Sequence, residues 1–208
     1  MGSLNKLPLN LDFLNFDTEK VFGIPEMLNT PINIQLLIGF NYVKSLKGAH
    51  AHTVHFFLDD YQFERIWNQP KTYINSLKRF NGAFSPDFSL WVDMPTALQI
   101  FNIYRSRFIG RYLQDQGVPC VPTVTWGDYK SFRFCFLGIS RGSQVAISSM
   151  STVLDKSGPF CLGYREMIDR IEPTKVYWYG LPNTYINDDR IVYFDPFYRR
   201  FSHGRKRR

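Results

Sequence analysis

Short apolar runs alternate with helical stretches along most of this chain, and that rhythm restricts the fold more than any other feature. Residues 54–58 form a β-type run that stops at Asp59-Asp60. Helical text follows over 61–67 and, after Pro70, over 72–80. Ala83-Phe84 then leads into Ser85-Pro86-Asp87-Phe88-Ser89, a second strand end carrying an acid. The clearest helix is predicted over 95–116, where Pro95 suits a first turn and Asp93 its positive end. Ala97, Phe101, Tyr104, Phe108 and Tyr112 recur at helical spacing, Leu98, Ile109 and Leu113 widen the stripe, and Gly117 supplies the stop. Residues 118–125 read as a strand weakened by Pro119 and Pro122, and 129–137 as a short helix closed by Gly138. A strand over 144–148, a helix over 161–171 and strands over 175–179 and 191–194 complete the series.

Continuous apolar strands set between helices predict an α/β fold of repeated strand-helix units with a mainly parallel sheet. Five or six such units are visible in 208 residues, fewer than a complete (β/α) barrel requires. A shortened or distorted (β/α) barrel is therefore the first expectation and a doubly wound sheet the second. Residues 1–197 are expected to form a single domain with an irregular lead over 1–20, and 198–208 a basic, flexible tail.

Charge supports that division. Lys plus Arg is 25 against 18 for Asp plus Glu, a net charge of +7. Arg199, Arg200, Arg205, Lys206, Arg207 and Arg208 stand in the last ten positions, and without them the body is close to neutral. Such a tail holds polyanions without sequence specificity. Hydrophobic residues at 44% exclude a wholly disordered chain, and no apolar run is long enough to span a membrane. Cys120, Cys135 and Cys161 make no CxxC pair and no signal peptide precedes them, so a reducing, cytoplasmic setting is expected.

In parallel α/β folds, sites gather where strands end at their carboxyl edge. Asp60, Asp87 and Asp128 fall at such ends, with Ser85, Ser89, Thr125 and Ser148 as hydroxyl neighbours. Carboxylates converging there suit general acid–base catalysis, and Asp60 with Asp87 could ligate a divalent metal ion through oxygen. The same residue types also cap helix N-termini, which would leave the acids structural. Trp126 is a candidate for stacking a base, and Arg105, with Arg107 beside it, for receiving phosphate. Arg205, Lys206, Arg207 and Arg208 are candidates for holding a nucleic-acid backbone. His50-Ala51-His52 matches the small metal-binding core of rolling-circle replication nickases, with Tyr73 as the corresponding nucleophile. Neither a P-loop nor a G-x-S-x-G, H-E-x-x-H or G-x-G-x-x-G motif is present, which removes the common hydrolase, zincin and dinucleotide-binding classes.

Several stretches in order resemble one uncharacterised family. They are His55-Phe56-Phe57, residues 59–65, Trp67, Ser85-Pro86-Asp87-Phe88-Ser89, Asn102 with Tyr104-Arg105, and Pro122-Thr123-Val124 with Trp126. The similarity runs from about residue 54 to 180 and is to domain of unknown function 4417, found in bacteria, their phages and other mobile elements. The resemblance implies a phage or mobile-element setting and no particular activity. The reading that follows is a protein that binds or acts on nucleic acid. Its alternatives are a non-enzymatic protein that targets a host protein and a rolling-circle nickase.

Overall fold

The computed structural model describes residues 16–150 and 158–196. The tail candidates Arg205, Lys206, Arg207 and Arg208 and the first 15 residues of the lead lie outside them. Among the described residues there are seven strands: β1 Leu36–Gly39, β2 His52–His55, β3 Gly82–Phe84, β4 Cys120–Val121, β5 Gln144–Ser148, β6 Lys175–Tyr179 and β7 Ile191–Phe194. Four α-helices accompany them: α1 Asp60–Asn68, α2 Lys71–Leu77, α3 Thr96–Asp115 and α4 Pro159–Ile171. Every ladder is parallel.

The strands form two sheets, ordered β1-β2-β3-β4 and β5-β6-β7. Strand order follows chain order in both, so neither sheet has the reversal that marks a doubly wound fold. One parallel bridge, Thr123 to Ala146, joins them, with Val124 N–H donating to the Ala146 carbonyl at 2.8 Å and Ala146 N–H to that of Pro122 at 2.9 Å. The α/β class with parallel sheets is thus as expected. Ring closure is not: β1 and β7 are outer strands, and among the described residues no ladder connects them.

Three apolar clusters fill the described part of the molecule. One gathers Leu37, Phe84, Val121, Ala146, Tyr177, Tyr179 and Phe194 from six strands, with Phe57 just past β2. The Tyr177 hydroxyl donates to the Ile32 carbonyl at 2.6 Å, tying β6 to the segment before β1. A second cluster packs α1, α2 and α3 around the first sheet, and a third packs α4 and residues 132–136 around the second.

Helix α3 starts after Pro95 and stops at Gly117, whose φ of 79° is open only to glycine without strain. Gly117 N–H donates to the Gln114 carbonyl and Val118 N–H to that of Leu113, both at 2.9 Å, which is the Schellman arrangement. Its stripe differs from the predicted one. Leu98 is exposed, whereas Gln99, Asn102, Arg105, Ser106 and Arg107 are buried, because α3 is covered on more than one side. Pro119 and Pro122 flank β4 and hold it to two residues, yet their carbonyls accept bonds from Ala83 and Ala146. The segment 129–137 forms only a 3-10 turn, Ser131–Arg133. Strand β1 was not predicted.

Candidate functional site

Two acids meet where β2 and β3 end. These strands are neighbours in a parallel ladder, so the loops after them rise from one edge. Asp60 is the first residue of α1, close behind β2, and Asp87 lies three residues beyond β3. Asp60 does more than begin a helix. Its Oδ1 accepts the Ser89 hydroxyl at 2.9 Å, and both carboxylate oxygens stand 3.3 Å from the Ser89 N–H. The Ser89 carbonyl in turn accepts the Asn102 side-chain amide at 2.7 Å, which anchors the loop to α3.

Asp87 is held differently. Protein crowds its carboxyl although the residue keeps a narrow exposed edge. Burial, and then the charge of Asp60, push its pKa up to about 7, while the Arg107 guanidinium works against them. One carboxylate is thus positioned by donors and its neighbour gains a proton near neutrality. That division of environment separates an acid from a base.

Asp128 belongs to its own turn. Its Oδ1 accepts the Lys130 N–H at 3.0 Å, and its carbonyl accepts the Ser131 hydroxyl at 2.6 Å. For this residue the capping role accounts for the contacts. Among the described residues no group of three or more His, Cys, Asp or Glu side chains is placed to hold a metal ion. A cation at the Asp60–Asp87 pair would draw on those two carboxylates and the Ser89 hydroxyl.

Both binding candidates of the body are engaged in packing. Arg105 is 8% exposed; its guanidinium donates to Glu64 at 2.7 Å and to Asn102 Oδ1 at 2.6 Å, and stacks 3.8 Å above Phe88. It carries the structure between α1 and α3 and offers no open fork to phosphate. Trp126 is half-buried against Phe136 and Phe160, and its indole N–H donates to the Pro159 carbonyl at 3.1 Å. Gly163 leaves room for that ring, which a Cβ there would overlap. Trp126 therefore fastens α4, with part of its ring left at the surface.

Arg107, treated in the sequence as a second phosphate ligand, is fully buried. It donates to the carbonyls of Leu137 at 3.0 Å, Thr123 at 2.8 Å and Cys135 at 2.8 Å. Burial lowers its pKa to about 10, so it keeps its charge at neutral pH. Cys120 and Cys135 lie near it, and burial pushes both thiols up, Cys135 to about 12. Neither is a nucleophile at neutral pH.

The histidine pair is at the other end of β2 from Asp60. His50 sits on a 3-10 turn and His52 opens the strand. Tyr73 is buried, its ring 5.1 Å from Phe40. A cleft of about 320 Å³ lies elsewhere, lined by Glu19, Glu26, residues 136–140 and Arg170. Its Glu19 is committed to backbone amides and its Arg170 to Glu166 and the Phe132 carbonyl.

Comparison with known proteins settles the family. The chain matches the family described as a domain of unknown function, DUF4417, over residues 16–196. The chain belongs to that family. The DUF4417 match extends beyond the stretch expected from local motifs at both ends, includes Asp60, Asp87 and Asp128, and stops before the basic tail. Similar relatives include a Gene 1 protein of Mycobacterium phage L5, 39% identical over 181 residues, 83% of this chain and 79% of the relative. A Gene 1 protein of Mycobacterium phage D29 is 38% identical over 182 residues, 83% of this chain and 67% of the relative. No solved structure matches.

The exposed aromatics of this DUF4417 chain were missed in the sequence, because ring content alone does not separate core from surface. Tyr61, Trp91 and Tyr129 are 78%, 64% and 70% exposed. Their only sequence signal is position, each within a few residues of a strand-end acid.

Proposed function

We propose that this protein of a phage or mobile element is an acid–base enzyme, with Asp87 as proton donor and Asp60 as the oriented carboxylate. The observation behind this reading is the unequal treatment of two neighbouring strand-end acids. Ser89 fixes Asp60, while Asp87 is crowded into the edge of the same mouth beside it. General acid–base catalysis contributes roughly 10²–10⁴-fold, most effectively when the donor titrates near the working pH.

The test is a survey of turnover on aryl glycosides and on single- and double-stranded nucleic acids, each with and without magnesium. Asp60→Asn and Asp87→Asn are expected to lose about 10²–10⁴-fold while keeping the wild-type circular dichroism spectrum. Full activity in either folded variant would sink the reading.

A second reading concerns nucleic acid, and the charge of residues 199–208 favours it. In the body, Arg105 and Trp126 are engaged internally, so a polyanion would be held by the tail. At the mouth it would need a divalent cation between its phosphates and Asp60 and Asp87. Magnesium dependence of turnover separates this form from the metal-independent one.

The strand sequence is also compatible with an opened (β/α) barrel, its inner layer being the cluster of Leu37, Phe84, Val121, Ala146, Tyr177 and Phe194. In that architecture the Asp60–Asp87 pair occupies the catalytic face.

A further inference from the structure

Three exposed rings stand near the strand-end edge, Tyr61 on the first turn of α1 and Trp91 and Tyr129 on the connections after β3 and β4, and backbone contacts make these segments neighbours of one another and of the acid pair. Tyr61 follows Asp60, and Asp60 is bonded to Ser89, two residues before Trp91. The Trp91 carbonyl lies 3.7 Å from where a Gly127 Cβ would stand, two residues before Tyr129. Trp91 is exceptional among the four tryptophans: Trp67 and Trp178 are buried, and Trp126 is half-buried. Val92 and Leu98, 61% and 51% exposed, extend the apolar surface beside it.

The charge of these loops selects what can lie on the rings. Asp59, Asp60, Asp87, Asp93 and Asp128 stand on or beside them, against two cations, the exposed Arg133 and Lys130, whose ammonium lies 6.0 Å from the Tyr129 ring. Arg65, though exposed, holds its guanidinium 5.1 Å above Phe40, and Arg105 is paired with Glu64. A phosphate-rich strand entering this edge meets repulsion from several carboxylates. An uncharged ring with an apolar face and hydroxyls at its rim meets none.

A further acceptor is already in place. Gln99 is 4% exposed, and its amide donates to the carbonyls of Trp91 at 3.2 Å and Met94 at 2.8 Å. Its Oε1 has no hydrogen-bond partner and lies 3.6 Å from the Gly127 Cβ position, between the Trp91 and Tyr129 loops. A buried acceptor without a donor is costly. The hydroxyl of a ligand that slightly parts these loops would satisfy it.

We propose that Tyr61, Trp91 and Tyr129 form a stacking rim that seats an uncharged saccharide over the Asp60–Asp87 pair. This assignment rests on the acid–base reading and names its substrate class, a neutral glycoside. In the reaction, Asp87 gives its proton to the glycosidic oxygen as the bond from that oxygen to the anomeric carbon breaks. A water oxygen bonds to the anomeric carbon and its proton passes to Asp60. The products are a free sugar and a neutral alcohol, and exchange with solvent restores both carboxyls.

The experiment is NMR titration of the full chain, and of one ending at Tyr198, with maltotetraose, tetra-N-acetylchitotetraose and a thymidine octanucleotide. The saccharides are offered to about 10 mM, a range suited to weak stacking sites. At least one neutral tetrasaccharide is expected to shift the Trp91 indole resonance in both chains. Trp91→Ala should weaken that binding at least tenfold, and because Trp91 is exposed the variant keeps its fold. Asp87→Asn should bind the same saccharide as tightly as wild type and fail to cleave it.

Absence of binding by either saccharide, or binding unaffected by Trp91→Ala, overturns the rim. Binding of the octanucleotide to the shortened chain, lost in Trp91→Ala, overturns it in favour of stacked bases. Saccharide binding that needs Trp91 but is followed by no cleavage in wild type leaves the rim standing and removes the acid–base reading. Cleavage that needs Asp87 but is indifferent to Trp91 does the reverse.

Discussion

Asp87 links chemistry to stability. Its folded pKa, pushed up to about 7 by burial and by Asp60, lies well above the usual carboxylate value. Below about pH 4 both the folded and unfolded states hold the proton. Between about pH 4 and 7 the unfolded state gives it up first, so this group makes the fold less stable as pH rises through that window. Asp87→Asn is therefore expected to raise stability at pH 8, relative to wild type, by on the order of 1–3 kcal/mol. Urea denaturation at pH 4 and pH 8 checks this, and an equal effect at both would refute the assigned shift. For catalysis the sign is the same: a proton donor is lost as pH rises, so kcat/KM should fall about tenfold per pH unit above about 7. In Asp60→Asn the Asp87 titration, followed by carboxyl carbon NMR, should move to lower pH because the like charge is gone.

At the scale of elements, α3 and α4 carry the most readable consequences. Trp126 occupies the space beside Gly163, so Gly163→Ala must displace the ring or the helix. A loss of about 1–3 kcal/mol is expected in denaturation followed by tryptophan fluorescence. The connection from β6 to β7 is tied by Asp188, which accepts the Tyr164 hydroxyl at 2.8 Å and the Arg190 guanidinium at 2.7 Å. The bonds from Arg190 hold its pKa down at about 2. Its contribution is complete above the usual aspartate value near 4 and is lost as pH falls through about 2. Asp188→Asn should thus shrink the difference in stability between pH 5 and pH 2, as acid-titrated circular dichroism would show.

The same elements show how much was legible beforehand. Both ends of α3 followed from Pro95 and Gly117, since those residues act through the local backbone. Strands 144–148, 175–179 and 191–194 were read with the bounds they have, being short apolar runs between clear breaks. What failed was the direction of side chains. In sequence, Arg105, Arg107 and Trp126 read as ligand-facing because cations and indoles are common at binding sites. Burial is decided by tertiary packing, and the groups that receive these side chains lie far away in the chain: Glu64 and Phe88 for Arg105, the Thr123, Cys135 and Leu137 carbonyls for Arg107, and Gly163 for Trp126. Asp60 and Asp87 were legible as a pair because adjacent parallel strands release their loops at one edge, a rule of topology rather than contact.

For the whole molecule, charge is divided between an acidic edge and a basic end. Full-length protein is expected to bind single-stranded DNA with log K falling against log salt at a slope no steeper than about −4, the limit for six cations. A chain ending at Tyr198 should lose that binding. Retention would mean that the body has a polyanion site of its own, contrary to the charge of the Asp60–Asp87 edge. Among the described residues no helix is long and apolar enough to cross a membrane.

Arg107 finally bears on how the chain is made. Its guanidinium lies in α3, but the carbonyls that receive it, those of Thr123, Cys135 and Leu137, are synthesised later. A nascent chain that has exposed only β1 to α3 therefore holds a charge in an apolar setting without its acceptors. The first sheet is therefore expected to settle only once the ribosome has released the segment through Leu137, as limited proteolysis of chains stalled before and after that point would show. Vectorial synthesis, which lets many N-terminal units fold early, here leaves the half carrying Asp60 and Asp87 waiting for the start of the other.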